Sequence, residues 1–467
     1  MNLSTAMDNA KMSKFHRKLV TGCMGGPFLD GYMLSIIGVA MLGITTQFHS
    51  SDMEVSLIGA SALIGIFFGA ILLGPLTDKI GRRLMYTIDL WALVICSVAQ
   101  FFVQDSTQLI ILRFIIGVAI GADYPIASAL LAEWLPIAKR GRMLGMLILG
   151  WFSGAAVASL VGFGIAELAG DEAWRWMLGS SSVFGVAILF LRHGIPESPR
   201  WLIQHGRLDE ARESLQIGLG DQVDANAVVD TEAQNVVPGM KTHINWSLLL
   251  QRPYLRRLIF CSVFYILHAA PLFALYTFGP VILESFGLNE GNLANLGSVV
   301  INLVFLLGCI PALSLVERIG RRPLIVWSFA LMALPLLVLG FAPGAPVAIV
   351  IACFSLYAFF SGGPNILEWA YPSELFPTQV RASAVGISTG MSRIGAAAGT
   401  FLVPFSISGW GIGPTMLIAG VLTALGFIVC LFMAEETKGT NLSEVIDPSE
   451  ELRSLNTNSE HPAPRVN

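Results

Sequence analysis

The chain has 467 residues, 54% of them hydrophobic and only 13% charged, with a formal net charge of −4. So apolar a composition excludes an ordinary soluble domain and points to lipid as the solvent.

Apolar runs long enough to cross a hydrocarbon core of about 30 Å recur between short charged loops. They predict transmembrane helices near 17–48, 54–78, 84–104, 107–135, 141–168, 173–192, 256–285, 291–316, 323–341, 346–374, 382–407 and 412–434. Each span should be helical, because lipid cannot satisfy exposed backbone groups and the glycine content does not suit alternating barrel strands. The polar stretch 194–253 divides the chain; its GRLDEARESL portion suits a short amphipathic helix, whereas DQVDANAVVDTEAQN reads as a polar linker. The expected parts are a six-helix bundle over 1–193, a cytoplasmic linker over 194–253, a second bundle over 254–436, and a tail over 437–467 that reads as disordered. The fold class is thus an all-α membrane protein, twelve transmembrane helices in two pseudo-symmetric six-helix bundles. The first 16 residues lack the apolar core and cleavage site of a signal peptide, so the first helix is expected to be retained.

The punctuation between spans is written twice, in one register of about 240 residues, as expected of a transporter built by duplication. GPLTDKIGRR, with Asp78, Arg82 and Arg83, returns as LSLVERIGRR, with Glu317, Arg321 and Arg322. EWLPIAKR, with Glu133 and Arg140, returns as ELFPTQVR, with Glu374 and Arg381; Glu197 and Ser198 of PESPRW return as Glu436 and Thr437. Carboxylates and arginines sharing these motifs can pair at the helix ends as a cytoplasmic gate, although arginines there also serve as a plain orientation signal. Of the 28 lysines and arginines, Arg113 and Arg393 lie inside spans and only Arg175 falls on the far side, which predicts that both termini are cytoplasmic.

The six cysteines all lie in apolar spans without CxxC spacing and read as packing residues, with no metal site and no cofactor expected. Neither polar segment offers a nucleotide cradle, so the sequence gives no basis for ATP-driven transport and leaves a gradient as the energy source, if transport is driven at all. The pairs Gly65 and Gly69, Gly117 and Gly121, Gly150 and Gly154, Gly386 and Gly390, and Gly395 and Gly399 have the spacing of close helix packing.

Three charges share one depth. Counting helical rise from the cytoplasmic markers puts Asp123 about 15 Å, and Asp30 and Arg393 about 18 Å, into the membrane. An ionisable group there costs on the order of 3 kcal/mol or more unless it faces a partner or a cavity. Burial favours the protonated carboxyl and an adjacent arginine favours the ionised one, so a carboxyl that changes partners can pick up and release a proton. Asp30 and Asp123 are the proton-coupling candidates; a structural ion pair is the plainer reading of each. Arg113, nearer the external face, can modulate such a partner. Arg393 suits an anionic group of a substrate, or a permanent ion pair with Glu368, Asp30 or Asp123. Tyr32, Tyr124, His268, Tyr276, Asn365 and Trp369 lie at similar depth and can shape a pocket, while Glu368 lines the inner path or caps a gate.

GPLTDKIGRR, the span RFIIGVAIG with its later glutamate, PESPRWL and ELFPTQVR together resemble the major facilitator superfamily from about Phe15 to Leu442. FLDGY and GADYPIASALLAEWLP are similar to the metabolite and aromatic acid:H⁺ symporters, including bacterial inner-membrane metabolite transport proteins. Relatives often carry a second acid where Met33 stands, and in proton-coupled relatives that aspartate partners the arginine at the place of Arg113. The seventh span lacks the paired glutamines of sugar porters and the aspartate of phosphate symporters, which disfavours hexose and phosphate. The resemblance implies a secondary transporter, not an enzyme, in the inner membrane, importing a small organic acid, aromatic ones included, with protons by alternating access. A uniporter, a proton-coupled exporter and a transporter-fold sensor are the other readings. The partners expected are the small-molecule substrate, protons and the lipid bilayer, with no nucleic acid, and the fold implies a monomer.

Overall fold

The computed structural model describes residues 3–235, 249–252, 254–288, 292–376 and 378–438. The tail beyond 438 and the side chains of Asp78, Tyr124, Arg140 and Trp369 lie outside the described residues. Twelve helical spans are present among those described. The first six are Lys14–Phe48, Asp52–Ile80, Arg82–Phe101, Ser106–Trp134, Ile137–Ala169 and Ala173–Arg192. The second six are Tyr254–Ser285, Leu293–Ile319, Arg321–Phe341, Val347–Phe360 continued by Gly362–Leu375, Thr378–Trp410 and Ile412–Met433.

The duplication read in the loops is repeated in the packing. The first span lies on the fifth and sixth, the second on the fourth, and the third on the fourth and sixth; the seventh lies on the eleventh and twelfth, the eighth on the tenth, and the ninth on the tenth and twelfth. Between the halves, the second span meets the eleventh, the fifth meets the eighth, and the first meets the seventh. Among described residues, the hydrogen bonds joining the halves sit towards the end remote from the two GRR turns. Asn292 Nδ2 donates to the Phe163 carbonyl and Glu167 Oε1, both at 3.1 Å, Asn302 Nδ2 to Ser159 Oγ at 2.6 Å, and Ser408 Oγ to Asp52 Oδ2 at 2.6 Å.

Two spans are not plain rods. In the seventh, Pro280 removes the N–H that would bond the Tyr276 carbonyl, and Phe278 leaves helical geometry at φ −120°, ψ 16°. Gly38 of the first span packs over that carbonyl, where a Cβ would come within 2.5 Å. The tenth span, expected as one helix, breaks at Ser361 before Gly362–Gly363–Pro364. Gly362 approaches the eighth span so closely that a Cβ would lie 2.3 Å from the Gly308 carbonyl.

The glycine pairs divide. Gly65, Gly69, Gly117 and Gly121 each press on backbone across the second and fourth spans, Gly154 on the Phe28 carbonyl and Gly399 on that of Ala270. Gly386 and Gly390 do not follow the expectation: a Cβ at the first meets nothing within 4 Å and at the second only the Phe67 ring, at 3.6 Å. That face of the eleventh span is turned away from the seventh, which it packs against through Gly395 and Gly399.

The polar segment forms Leu208–Leu219 as expected, but DQVDANAVVDTEAQN is not a bare linker, since Ala225–Asn235 is a helix. Asp224 Oδ1 accepts the N–H groups of Asn226 and Ala227, the usual start signal, and Val228 and Val229 are buried against the neighbouring helices. Its polarity hid an apolar face. All six cysteines are buried, unpaired thiols.

Candidate functional site

The GRR turns come first because they anchor the span ends. Gly81 and Gly320 adopt φ of +108° and +95°, a region that favours glycine. Each leaves room for a carboxylate, since a Cβ there would meet Glu197 Oε2 at 2.7 Å or Glu436 Oε2 at 2.5 Å. Glu197 accepts the N–H of Arg83 at 2.9 Å, and Glu436 accepts those of Arg321 at 3.0 Å and Arg322 at 3.2 Å, so each caps the N-terminus of the next span. Arg82 pairs with Glu133, which also accepts from Ser198 Oγ. In the mirror position Arg321 holds Glu374 with Nε and Nη2, at 2.9 and 2.8 Å, and Glu374 also accepts from Thr437 Oγ1. Glu317 stands 4.0 Å from Arg321, and Arg381 Nε donates to the Phe376 carbonyl. These contacts lie within a half, so each clamp braces its own bundle.

Deeper in, Asp30 is 3% exposed, and its Oδ1 has no hydrogen-bond partner among the described residues. It lies within electrostatic reach of Asp123, Asp89, Arg192 and Arg393, which brings together the three charges whose depth the sequence equated. Asp123 is fully buried, and its Oδ1 accepts from Arg192 Nη2 at 2.8 Å. Arg113 takes no part: it is buried on its own span, donates from Nε to the Ile58 carbonyl at 2.7 Å, and has no ion pair among the described residues.

The remaining candidates sort into two places. Tyr32 turns into the first bundle, bonded to Ser180 Oγ at 2.6 Å and packed on Phe184. Of the other candidates whose side chains are described, Arg393 and Tyr276 sit at the junction of the halves, and His268, Glu368 and Asn365 on its second-half wall. Trp151 of the fifth span meets Tyr276 edge-on at 5.1 Å and Phe273 at 5.9 Å, and the guanidinium of Arg393 stands 5.6 Å from the Phe273 ring centre. Behind them His268 Nδ1 and Glu368 Oε1 lie 2.5 Å apart, in hydrogen-bonding contact. Asn365 Nδ2 donates to Ser361 Oγ, at the break in the tenth span. This wall offers a cation, aromatic faces and polar tips converging between the bundles, the make-up of a small-molecule site. A separate cavity of about 610 Å³, lined by Phe101, Leu168, Trp176 and Val183, opens on the outer apolar surface of the first bundle; Ser180, the partner of Tyr32, lines it, and the second-half wall does not.

Sequence reasoning missed Asp89, Arg192, Tyr86 and Gly26. The available signal for Asp89 was helical rise, since seven residues past Arg82 put its carboxyl about 10 Å inside the third span. Arg192 reads as one more positive charge flanking the sixth span until the fold turns it inward.

Two pseudo-symmetric six-helix bundles, clamped at one end by duplicated motifs and meeting around buried charges, define a transporter of the major facilitator superfamily. More narrowly, the chain belongs to the sugar (and other) transporter family, whose model matches residues 18–447. Two metabolite transport proteins of Escherichia coli (strain K12) are similar along nearly their whole length. YaaU is 40% identical over 95% of this chain and 97% of its own, and the inner membrane protein YgcS is 34% identical over 95% and 96%. The xylose transporter XylE from E. coli shares the fold at a TM-score of 0.78, with 21% identity over 92% of this chain and 100% of that one. These relatives are transporters rather than enzymes.

Proposed function

We propose that the protein is a secondary transporter that carries a small organic acid together with protons by alternating access. The observation behind it is the placement of Arg393 at the junction of the halves, beside an aromatic wall and within electrostatic reach of the buried Asp30. A guanidinium binds a carboxylate with two parallel donors, and the ring beside it suits the flat face of an aromatic acid. When the substrate's carboxylate neutralises Arg393, Asp30 loses part of the field that favours its ionised form and takes up a proton. Substrate and proton thereby load together. The similarity to XylE, which one solved structure describes as a proton:xylose symporter, supports coupling to protons and also supports a neutral sugar as the rival cargo.

The arginine-rich loops support an orientation with the GRR end and both termini on the cytoplasmic side of an inner membrane. The hydrogen bonds between the halves then hold the external end together, and Leu313 faces Gly145 across the halves towards the cytoplasmic end. Alternate loosening of the two ends, with each clamped bundle moving as a unit, completes the cycle.

Purified protein in liposomes with a trapped pH dye, offered pools of aromatic acids, sugar acids, neutral sugars and amines, tests this reading. Proton uptake driven by an acid pool supports it. Movement with neutral sugars alone identifies the other cargo, and movement of substrate without protons marks a uniporter.

A further inference from the structure

Where the first, third, fourth and sixth spans meet, three carboxyl side chains are buried against one guanidinium. Asp30, Asp89 and Asp123 are 3%, 3% and 0% exposed, and Arg192 is 9% exposed. Arg192 spends its donors on all three neighbouring spans: Nε to the Gly22 carbonyl at 3.1 Å, Nη1 to that of Tyr86 at 3.0 Å, and Nη2 to Asp123 Oδ1 at 2.8 Å. Its Cζ lies 3.3 Å from the centre of the Tyr86 ring. Asp89 Oδ1 accepts the Leu90 N–H at 2.6 Å and stands 3.9 Å from Arg192 Nη1.

That leaves Asp89 Oδ2 and Asp123 Oδ2, both buried and both without a donor among the described residues. The two side chains lie within hydrogen-bonding reach of each other. Gly26 covers the Asp123 oxygen so tightly that a Cβ would sit 1.7 Å from it, which leaves no room for a water on that side. Ionised carboxylates only accept hydrogen bonds, and two in contact away from water repel strongly. One proton removes both faults, because it turns one oxygen into a donor and leaves a single negative charge opposite Arg192. Tyr86 and Cys23 face the same cluster, Asp30 adjoins it, and Arg393 reaches Asp30 from the eleventh span.

We propose that Asp89 and Asp123 share one proton, so that the first bundle holds a second proton site, an acid pair docked on Arg192, behind Asp30. Asp89 and Arg192 thereby gain a role that neither depth nor motif assigned to them. The existence of the shared proton does not depend on what is transported; its use in coupling rests on the transport reading above.

Infrared spectroscopy of the purified protein tests the site directly. The wild type should show a protonated-carboxyl band at neutral pH that disappears in Asp89→Asn and in Asp123→Asn but persists in Asp30→Asn. A wild type without the band, a band surviving either pair substitution, or its loss in Asp30→Asn as well would overturn the pair. A second readout guards against misfolding, since the amide of Asp89→Asn can donate the bond that the shared proton makes. That variant should keep wild-type thermal stability, whereas Asp89→Leu should lose it; equal loss in both speaks against a hydrogen-bonded pair. In liposomes, Asp89→Asn should lose gradient-driven accumulation while retaining exchange. Undiminished accumulation with the infrared result intact would overturn the coupling role and leave the site.

Discussion

Glu133 and Glu374 do the same work in opposite halves: each binds an arginine from its own GRR turn and a hydroxyl from the segment after the sixth or twelfth span. If these clamps control the cytoplasmic end, charge reversal at either should act alike. A single cysteine at Leu313, which faces Gly145 across the halves, reports that opening by its labelling rate. Glu133→Lys and Glu374→Lys should each raise the rate; unchanged labelling in both would contradict gating.

The Glu436 carboxylate carries a pH dependence. Burial pushes its proton affinity up, but the backbone N–H groups of Arg321, Lys438, Arg322 and Thr437 more than offset this and hold it below the ordinary glutamate value. A carboxyl depressed in the folded state contributes stability that is full above its unfolded value and lost as pH falls through its folded one. Glu436→Gln should therefore melt below the wild type at neutral pH, with the gap narrowing in acid. A gap that stays constant with pH would refute the assignment.

Gly26→Ala places a methyl group on Asp123 Oδ2 and 2.4 Å from Arg192 Nη2. Breaking a buried pair costs about 3–5 kcal/mol, and thermal unfolding in detergent should show a loss of that order. Gly164→Ala, where a Cβ meets nothing within 4 Å, should instead gain about 0.5–1 kcal/mol.

Arg393→Lys replaces a planar fork by a point charge. Binding of an acid substrate should weaken about tenfold, the worth of one charge-assisted hydrogen bond, while its neutral amide loses less. Equal weakening of both, measured by calorimetry, would remove the carboxylate from the argument.

Much of this was legible in the sequence. Hydropathy gave the spans because lipid permits little else, and the repeated loop motifs gave the twofold design. Helical rise put Asp30, Asp123 and Arg393 at one level, and the structure brings them within electrostatic reach. Rise gives depth but not azimuth, however, so it could not show that Tyr32 turns towards Phe184, that Arg113 donates to the Ile58 carbonyl, or that a Cβ at Gly386 would meet nothing within 4 Å among the described residues. The partner of Asp123 was hidden for another reason. Arg192 is one of several arginines near a cytoplasmic end, and only tertiary packing turns it inward.

The most direct test of proton-coupled transport through the buried carboxyls is Asp30→Asn in liposomes, with accumulation under a pH gradient and substrate exchange without one measured on the same preparation. The account predicts that accumulation is lost and exchange retained. Accumulation at the wild-type level would contradict it.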